Sequence, residues 1–188
     1  MPSDNIDEAA ACRHLLRRIR VVRHFQRRPV EEEHLEELLE VARWTGSAKN
    51  LQPWRFVLVT DPIMREQLAE CGVRSFAAPL RDAPLALVLV QQPGGYQFDI
   101  GRIAQTIIVA ATTFGLGACP VSLYNEERAR SLLNVPADHG CRFSIALGYP
   151  DIPAEKQLRR RLPQLLSRSG RLPLSDLIYH EHFDPTTQ

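Results

Sequence analysis

Gly46-Ser47-Ala48-Lys49-Asn50-Leu51-Gln52-Pro53-Trp54 is the stretch on which the reading of this chain turns. On its N-terminal side, from about Glu31 to Thr45, Leu35, Leu38, Leu39 and Ala42 recur at the i, i+3, i+4, i+7 spacing of one helix face. Glu31, Glu32 and Glu33 fall in the first turn, where acids suit the positive end of the helix dipole. On its C-terminal side, Arg55 to Thr60 is a short apolar run of the kind found in strands covered on both faces. The stretch therefore joins a helix to a buried strand. Such a loop exposes several backbone N–H groups, and its small residues let a ligand come close. Ser47, Asn50 and Gln52 add side-chain donors and acceptors. The set suits a planar ligand with polar edges or a sugar-alcohol chain. It suits equally well a capped helix end followed by an Asn/Gln turn.

Working outward, the pattern predicts a first amphipathic helix over Ile6 to Arg20 and a turn at Arg27-Arg28-Pro29. Asp61 as N-cap with Pro62 at N1 opens a helix running to about Cys71. Leu85 to Gln91 reads as a second buried strand. Asp99 to Phe114 reads as a helix apolar nearly all round, which belongs in a core or a subunit interface. Gly115 and Gly117 end it. Cys119 to Leu123 is a third strand, Asn125 caps a short helix to Leu133, and Arg142 to Leu147 is a fourth strand before the turn Gly148-Tyr149-Pro150. From Ile152 onward the chain is Arg-rich, broken by proline and mostly helical. With no internal repeat and no linker, residues 1–188 form one domain, with helices packed on a small central sheet of mixed strand order.

Composition narrows the function. The net charge of +1 gives no strong general attraction to nucleic acid or membrane. Cys12, Cys71, Cys119 and Cys141 lie far apart without zinc spacing, which fits inert thiols in a reducing cytoplasm. Residues 1–13 are polar and carry acids, unlike a secretory signal, and no apolar run approaches the length of a membrane span. No GxGxxG, P-loop or GxSxG motif is present. His180 and His182 bracket Glu181 and read as solvated side chains, so no metal is expected.

Four regions carry the remaining signal: Arg17 to Phe25, dense in arginine; the Gly46 stretch; Gly115-Leu116-Gly117-Ala118-Cys119-Pro120-Val121-Ser122; and Arg171-Leu172-Pro173-Leu174. Each has a plain structural explanation by itself. In this order and spacing they resemble the nitroreductase-like family of FMN-dependent oxidoreductases, over about Arg17 to Phe183. The segment Ser47-x-x-Asn50-x-Gln52-Pro53-Trp54 is the most specific part. Asp99 with Gln105 in the following helix, Gly115 to Gly117, and Leu147 to Pro150 follow in register.

The resemblance implies an α+β, three-layer α/β/α fold with a small, mainly antiparallel mixed sheet, in a swapped homodimer whose C-terminal arm from about residue 152 embraces the partner. It implies that Arg20, Arg23 and Arg171 approach the FMN phosphate. Arg18 compensates for Ile19 and Val21, which stand where the family pattern has Arg and Ser. Ser47, Ala48 and Asn50 would reach the partner's flavin, joined by Lys49 and Gln52. Pro120, Val121, Ser122 and Leu123 would line the ring, with the Ser122 N–H near flavin N5 and Gln105 at the ring edge. The implied reaction is ping-pong: NADH or NADPH gives a hydride to the flavin, and a nitroaromatic, quinone or other electron-poor acceptor takes it. The flavin does the chemistry, so no catalytic side chain is assigned. Two alternatives stand beside it: a flavin-destructase, dehalogenase or dehydrogenase-like member of the family, and a non-catalytic flavin-binding module.

Overall fold

The structure is a computed structural model and describes residues 3–73, 76–165 and 170–183. The chain divides into a unit of residues 1–155 and a second of residues 156–188.

The first unit is built on four strands: β1 (Trp54–Val59), β2 (Leu85–Gln91), β3 (Gly117–Ser122) and β4 (Gly140–Gly148). Their order is β1-β2-β4-β3, and each of the three pairings is antiparallel. The mainly antiparallel sheet is thus found, while the expected parallel admixture is missing among the described strands. The resemblance implies the mixed sheet; the apolar runs themselves report coverage of both faces and not strand direction.

Side chains alternate across the sheet with the period of two that extended backbone imposes. Trp54, Leu85, Leu87, Leu89, Ala118, Ile145 and Leu147 enter the core under α2 (Glu32–Arg43) and α5 (Gln97–Thr113). Val59, Ala86, Val88, Cys119, Val121 and Ala146 enter the opposite core with α3 (Pro62–Glu70), α4 (Ala78–Asp82) and α6 (Glu126–Leu133). These are the three expected layers.

Helix starts follow the caps that the sequence predicts. The Asp61 carboxylate accepts from Met64 N, and Asn125 Oδ1 accepts from Arg128 N. Three boundaries differ from expectation. Helix α1 (Ser3–Arg18) ends two residues before Arg20. The short α4 lies in a Pro- and Ala-rich segment with no readable period. Gly117 is already inside β3 rather than a helix terminator, because a Cβ there would lie 2.6 Å from the Val22 side chain that crosses it. Gly115, at φ +71, makes the left-handed turn out of α5.

Helix α7 (Ile152–Leu165) starts on Asp151, whose Oδ1 accepts from Ala154 N. In the second unit, residues 170–183 hold a single 3-10 turn, Leu174–Asp176, so the expected mostly helical tail is corrected there. The proline-bounded sequence around it cannot sustain a backbone ladder. Residues 166–169 and 184–188 of that tail lie outside the described residues.

Cys71, Cys119 and Cys141 are buried, and Cys12 is exposed. Burial raises the thiol pKa of all three buried residues, to about 11 for Cys119 and Cys141. A maleimide or disulfide reagent at neutral pH is expected to modify one thiol per folded chain rapidly and the other three only after denaturant is added. Two or more fast thiols in native protein would contradict the burial.

Candidate functional site

The first group of predicted residues surrounds the turn after α2. Trp44 and Thr45 close the helix onto Val41 and Ala42 carbonyls, and the chain then enters a 3-10 turn over Ala48–Asn50. Ser47 Oγ accepts from Gln52 N at 2.8 Å, which ties the loop across its neck. Ala48 N donates to Asp99 Oδ2 at 3.0 Å. Lys49, Asn50 and Gln52 adopt φ of 52, 54 and 47°, in the left-handed region. Asparagine tolerates that region, whereas Lys and Gln are strained there. Gln52 Nε2 donates to Asn50 Oδ1 at 3.2 Å. The Lys49, Asn50 and Gln52 side chains are exposed, and those of Ser47 and Ala48 are half-buried. The loop is therefore held in a costly conformation that presents polar groups outward.

Asp99 holds this loop in place. Sequence alone suggests only a helix opener, yet α5 begins at Gln97 after an N-cap at Tyr96 that makes no side-chain cap bond. The Asp99 side chain is 2% exposed; one oxygen takes the Ala48 N–H, and the other lies 3.5 Å from Arg102 Nη1. A cleft of about 530 Å³ opens beside it, lined by Thr45, Gly46, Phe98, Gly101, Arg102, Gln105 and Thr106. Gln105 therefore shares a cleft with the start of the Ser47 loop. Sequence alone singles out neither Arg102 nor Phe98 and reads Asp99 only as a helix opener; the Asp99 bond to Ala48 joins positions 51 residues apart.

The second group lies at the β3 edge. Ala118 O accepts from Val22 N at 3.0 Å on the side away from β4. Leu123 N donates to Arg142 O at 2.7 Å on the side toward β4. Because successive residues of a strand point their N–H and C=O to opposite sides, Ala118, Pro120 and Ser122 turn theirs away from β4, where the strap meets Ala118 and Gly72, bridged to Leu123, lies near Ser122 O. Proline is suited to that position, since it has no ladder N–H to give. The Ser122 N–H points outward there. The Val121 and Leu123 side chains are 4% and 0% exposed in the core, so a ligand at this edge meets Pro120 and Ser122 instead.

Residues 20–25 run past the start of this edge as a strap. Arg23 N and His24 N both donate to Glu155 Oε1, at 2.7 and 2.9 Å, and Phe25 N donates to Asp82 Oδ2 at 2.7 Å. Glu155 is 4% exposed. Arg20 turns its Nη1 onto the carbonyls of Arg17 and Ile19, at 2.7 Å each. Arg18 is exposed at the end of α1, and Val21 is half-buried against the core. Arg171 is exposed in the second unit.

The fold thus brings the predicted residues together in two groups and keeps the groups apart. Ser47 to Gln52 feed β1 at one edge of the sheet, and Pro120 to Ser122 lie on β3 at the other. Three strand spacings, about 14 Å, separate those edges.

Comparison with known proteins places this geometry. The chain is 34% identical over 142 residues to a Methanothermobacter thermautotrophicus protein whose name pairs NADH dehydrogenase with NAD(P)H nitroreductase; the match covers 70% of this chain and 73% of that protein. It is 28% identical over 164 residues to the 5,6-dimethylbenzimidazole synthase of Rhodospirillum rubrum, covering 70% and 78%. It superimposes with a TM-score of 0.71, at 24% identity, on an FMN-dependent nitroreductase from Clostridium difficile, covering 90% of this chain and 98% of that one. The sequence pattern of the Nitroreductase family matches residues 16–92 and 74–149, so the chain belongs to the Nitroreductase family, a family of oxidoreductases.

Proposed function

We propose that this protein is a cytoplasmic, homodimeric, FMN-dependent NAD(P)H oxidoreductase, with each flavin held between the β3 edge of one chain and the Ser47–Gln52 loop of its partner. The observation that carries the reading is the division of one donor set between opposite sheet edges. One edge offers the Ser122 N–H and a nearby arginine strap, and the other offers exposed Asn50 and Gln52 on a loop already strained into shape. The donor set fits FMN: guanidinium groups for a phosphate, an outward N–H for a ring nitrogen, and amides and a hydroxyl for the ribityl chain. The names of the Methanothermobacter thermautotrophicus and Clostridium difficile relatives support the same reading.

When bound, FMN supplies two-electron exchange between NADH or NADPH and an electron-poor acceptor such as a nitroaromatic or quinone, each taking its turn at one place. The chain's residues bind and orient. Arg18, Arg20, Arg23 and Arg171 give positive charge to the phosphate. The Ser122 N–H and Pro120 meet the ring, and Ser47, Ala48 and Asn50 approach from the partner. Lys49 or Arg171 adds positive charge beside the reduced ring. The arm from about residue 152 embraces the second chain.

Purified protein is expected to carry or take up FMN and to lose its visible absorbance under NADH or NADPH without oxygen. A protein that takes up no FMN overturns the reading. Bound flavin that neither nicotinamide bleaches indicates a non-catalytic flavin-binding module. The 28% identity to a synthase supports a second reading, a flavin-consuming, dehalogenating or dehydrogenating member of the family. Destruction of FMN, or turnover with oxygen and no added acceptor, would favour it.

A further inference from the structure

The cleft beside the Ser47 loop contains a guanidinium that the proposed flavin chemistry leaves unused. Among the described residues, the Arg102 guanidinium makes one polar contact, 3.5 Å from Nη1 to Asp99 Oδ1. A committed Arg–carboxylate pair is bidentate at about 2.8 Å, and the other Asp99 oxygen is already bonded to Ala48 N. Most of the Arg102 donors are therefore unspent, and its side chain is 43% exposed. The walls around it are flat and apolar. Phe98 is 77% exposed. Gly101 has open space where a Cβ would stand, and Gly46 leaves room for the guanidinium itself, since a Cβ there would lie 2.9 Å from Arg102 Nη2. Thr45 Oγ1, in the same wall, is buried with no hydrogen-bond partner.

We propose that Arg102 recognises the carboxylate of a planar aromatic acceptor, whose ring lies against Phe98 and over Gly101. This deepens the flavin reading and rests on it for the reaction, though not for the binding. Arg102 fixes the acidic end of the molecule, Gly46 makes room for the guanidinium, Gly101 admits the ligand's flat body, and the electron-accepting group extends toward the Ser47 loop. Asp99 lowers the net charge of the site but is buried, so the exposed guanidinium faces the ligand.

The test uses FMN-loaded protein, NADH, and two acceptors of one shape: 4-nitrobenzoate and neutral 4-nitrobenzyl alcohol. Arg102→Gln is expected to lower kcat/KM for the carboxylate at least about ten-fold more than for the alcohol, the scale of one lost charge-assisted contact. Gly46→Ala, whose methyl displaces only the tip of Arg102, is expected to shift the ratio in the same direction with the arginine still present. Calorimetry with benzoate, on FMN-loaded and FMN-free protein, is expected to show affinity falling at least about ten-fold in Arg102→Gln. Equal losses for both acceptors, or unchanged benzoate affinity, overturn the proposal. A rise confined to the KM for NADH or NADPH also overturns it, assigning Arg102 to the nicotinamide phosphates. The arms separate the two ideas. Protein that takes up no FMN yet binds benzoate through Arg102 keeps the anion site and ends the flavin reading. Protein that reduces the alcohol but is indifferent to Arg102→Gln does the reverse.

Discussion

Asp99→Ala is expected to lower the unfolding free energy by about 2–3 kcal/mol and to weaken FMN binding at least ten-fold. The carboxylate is 2% exposed and reaches from α5 to a backbone N–H 51 residues away in sequence, in a loop that holds Lys49, Asn50 and Gln52 at positive φ. Without it, Ala48 keeps a half-buried N–H with no partner, and only the loop's own Ser47–Gln52 and Gln52–Asn50 bonds are left against the strain stored in the next turn. The loop then relaxes, and the exposed amides lose the positions that a ligand needs. Asp99→Asn keeps an acceptor for Ala48 and loses only the charge beside Arg102, so it should retain most of the stability. Urea unfolding and FMN fluorescence titration of both variants measure this. An alanine variant as stable and as tight as the parent would show that the loop holds its shape unaided.

Glu155→Ala should cost at least as much, about 3 kcal/mol, because one buried oxygen serves two backbone donors, Arg23 N and His24 N. Its removal also unties the strap that carries Arg20 and Arg23 along the β3 edge. The expected signature is a loss of FMN affinity alongside lower stability, with the loss growing at higher salt as the arginine placement becomes looser. Glu155→Gln preserves the carbonyl acceptor and should recover most of both. Equal damage in the Ala and Gln variants would mean that the negative charge, rather than the hydrogen bonds, matters.

Much of the fold was legible because its signals are local. The apolar runs at Trp54–Val59 and Leu85–Gln91, and the Asp61–Pro62 and Asn125 caps, need only neighbours to be understood. Pairing direction was not legible, since a strand covered on both faces is apolar whichever way its neighbours run. Of the candidate site, the exposed Ser47–Gln52 loop and the Pro120–Ser122 edge were readable as motifs. Asp99, Arg102 and Glu155 were not. Asp99 and Glu155 owe their roles to contacts across the fold, Arg102 stands in the cleft beside Asp99, and Glu155 in the sequence is one acid in an ordinary amphipathic helix. Val121 and Leu123 stand in the predicted site because a motif names consecutive residues, and the strand turns their side chains into the core.

The position of β1 and β3 at opposite margins of one sheet has a further consequence. A pocket completed only by two chains is governed by mass action. In the proposed homodimer, unpaired chains at low expression would hold half-pockets and little cofactor; the amount of occupied pocket would climb with the square of chain abundance, and the occupied fraction in proportion to it, before levelling off. Dilution should therefore release FMN from the protein, and the loss of protein-bound flavin becomes a gauge of assembly.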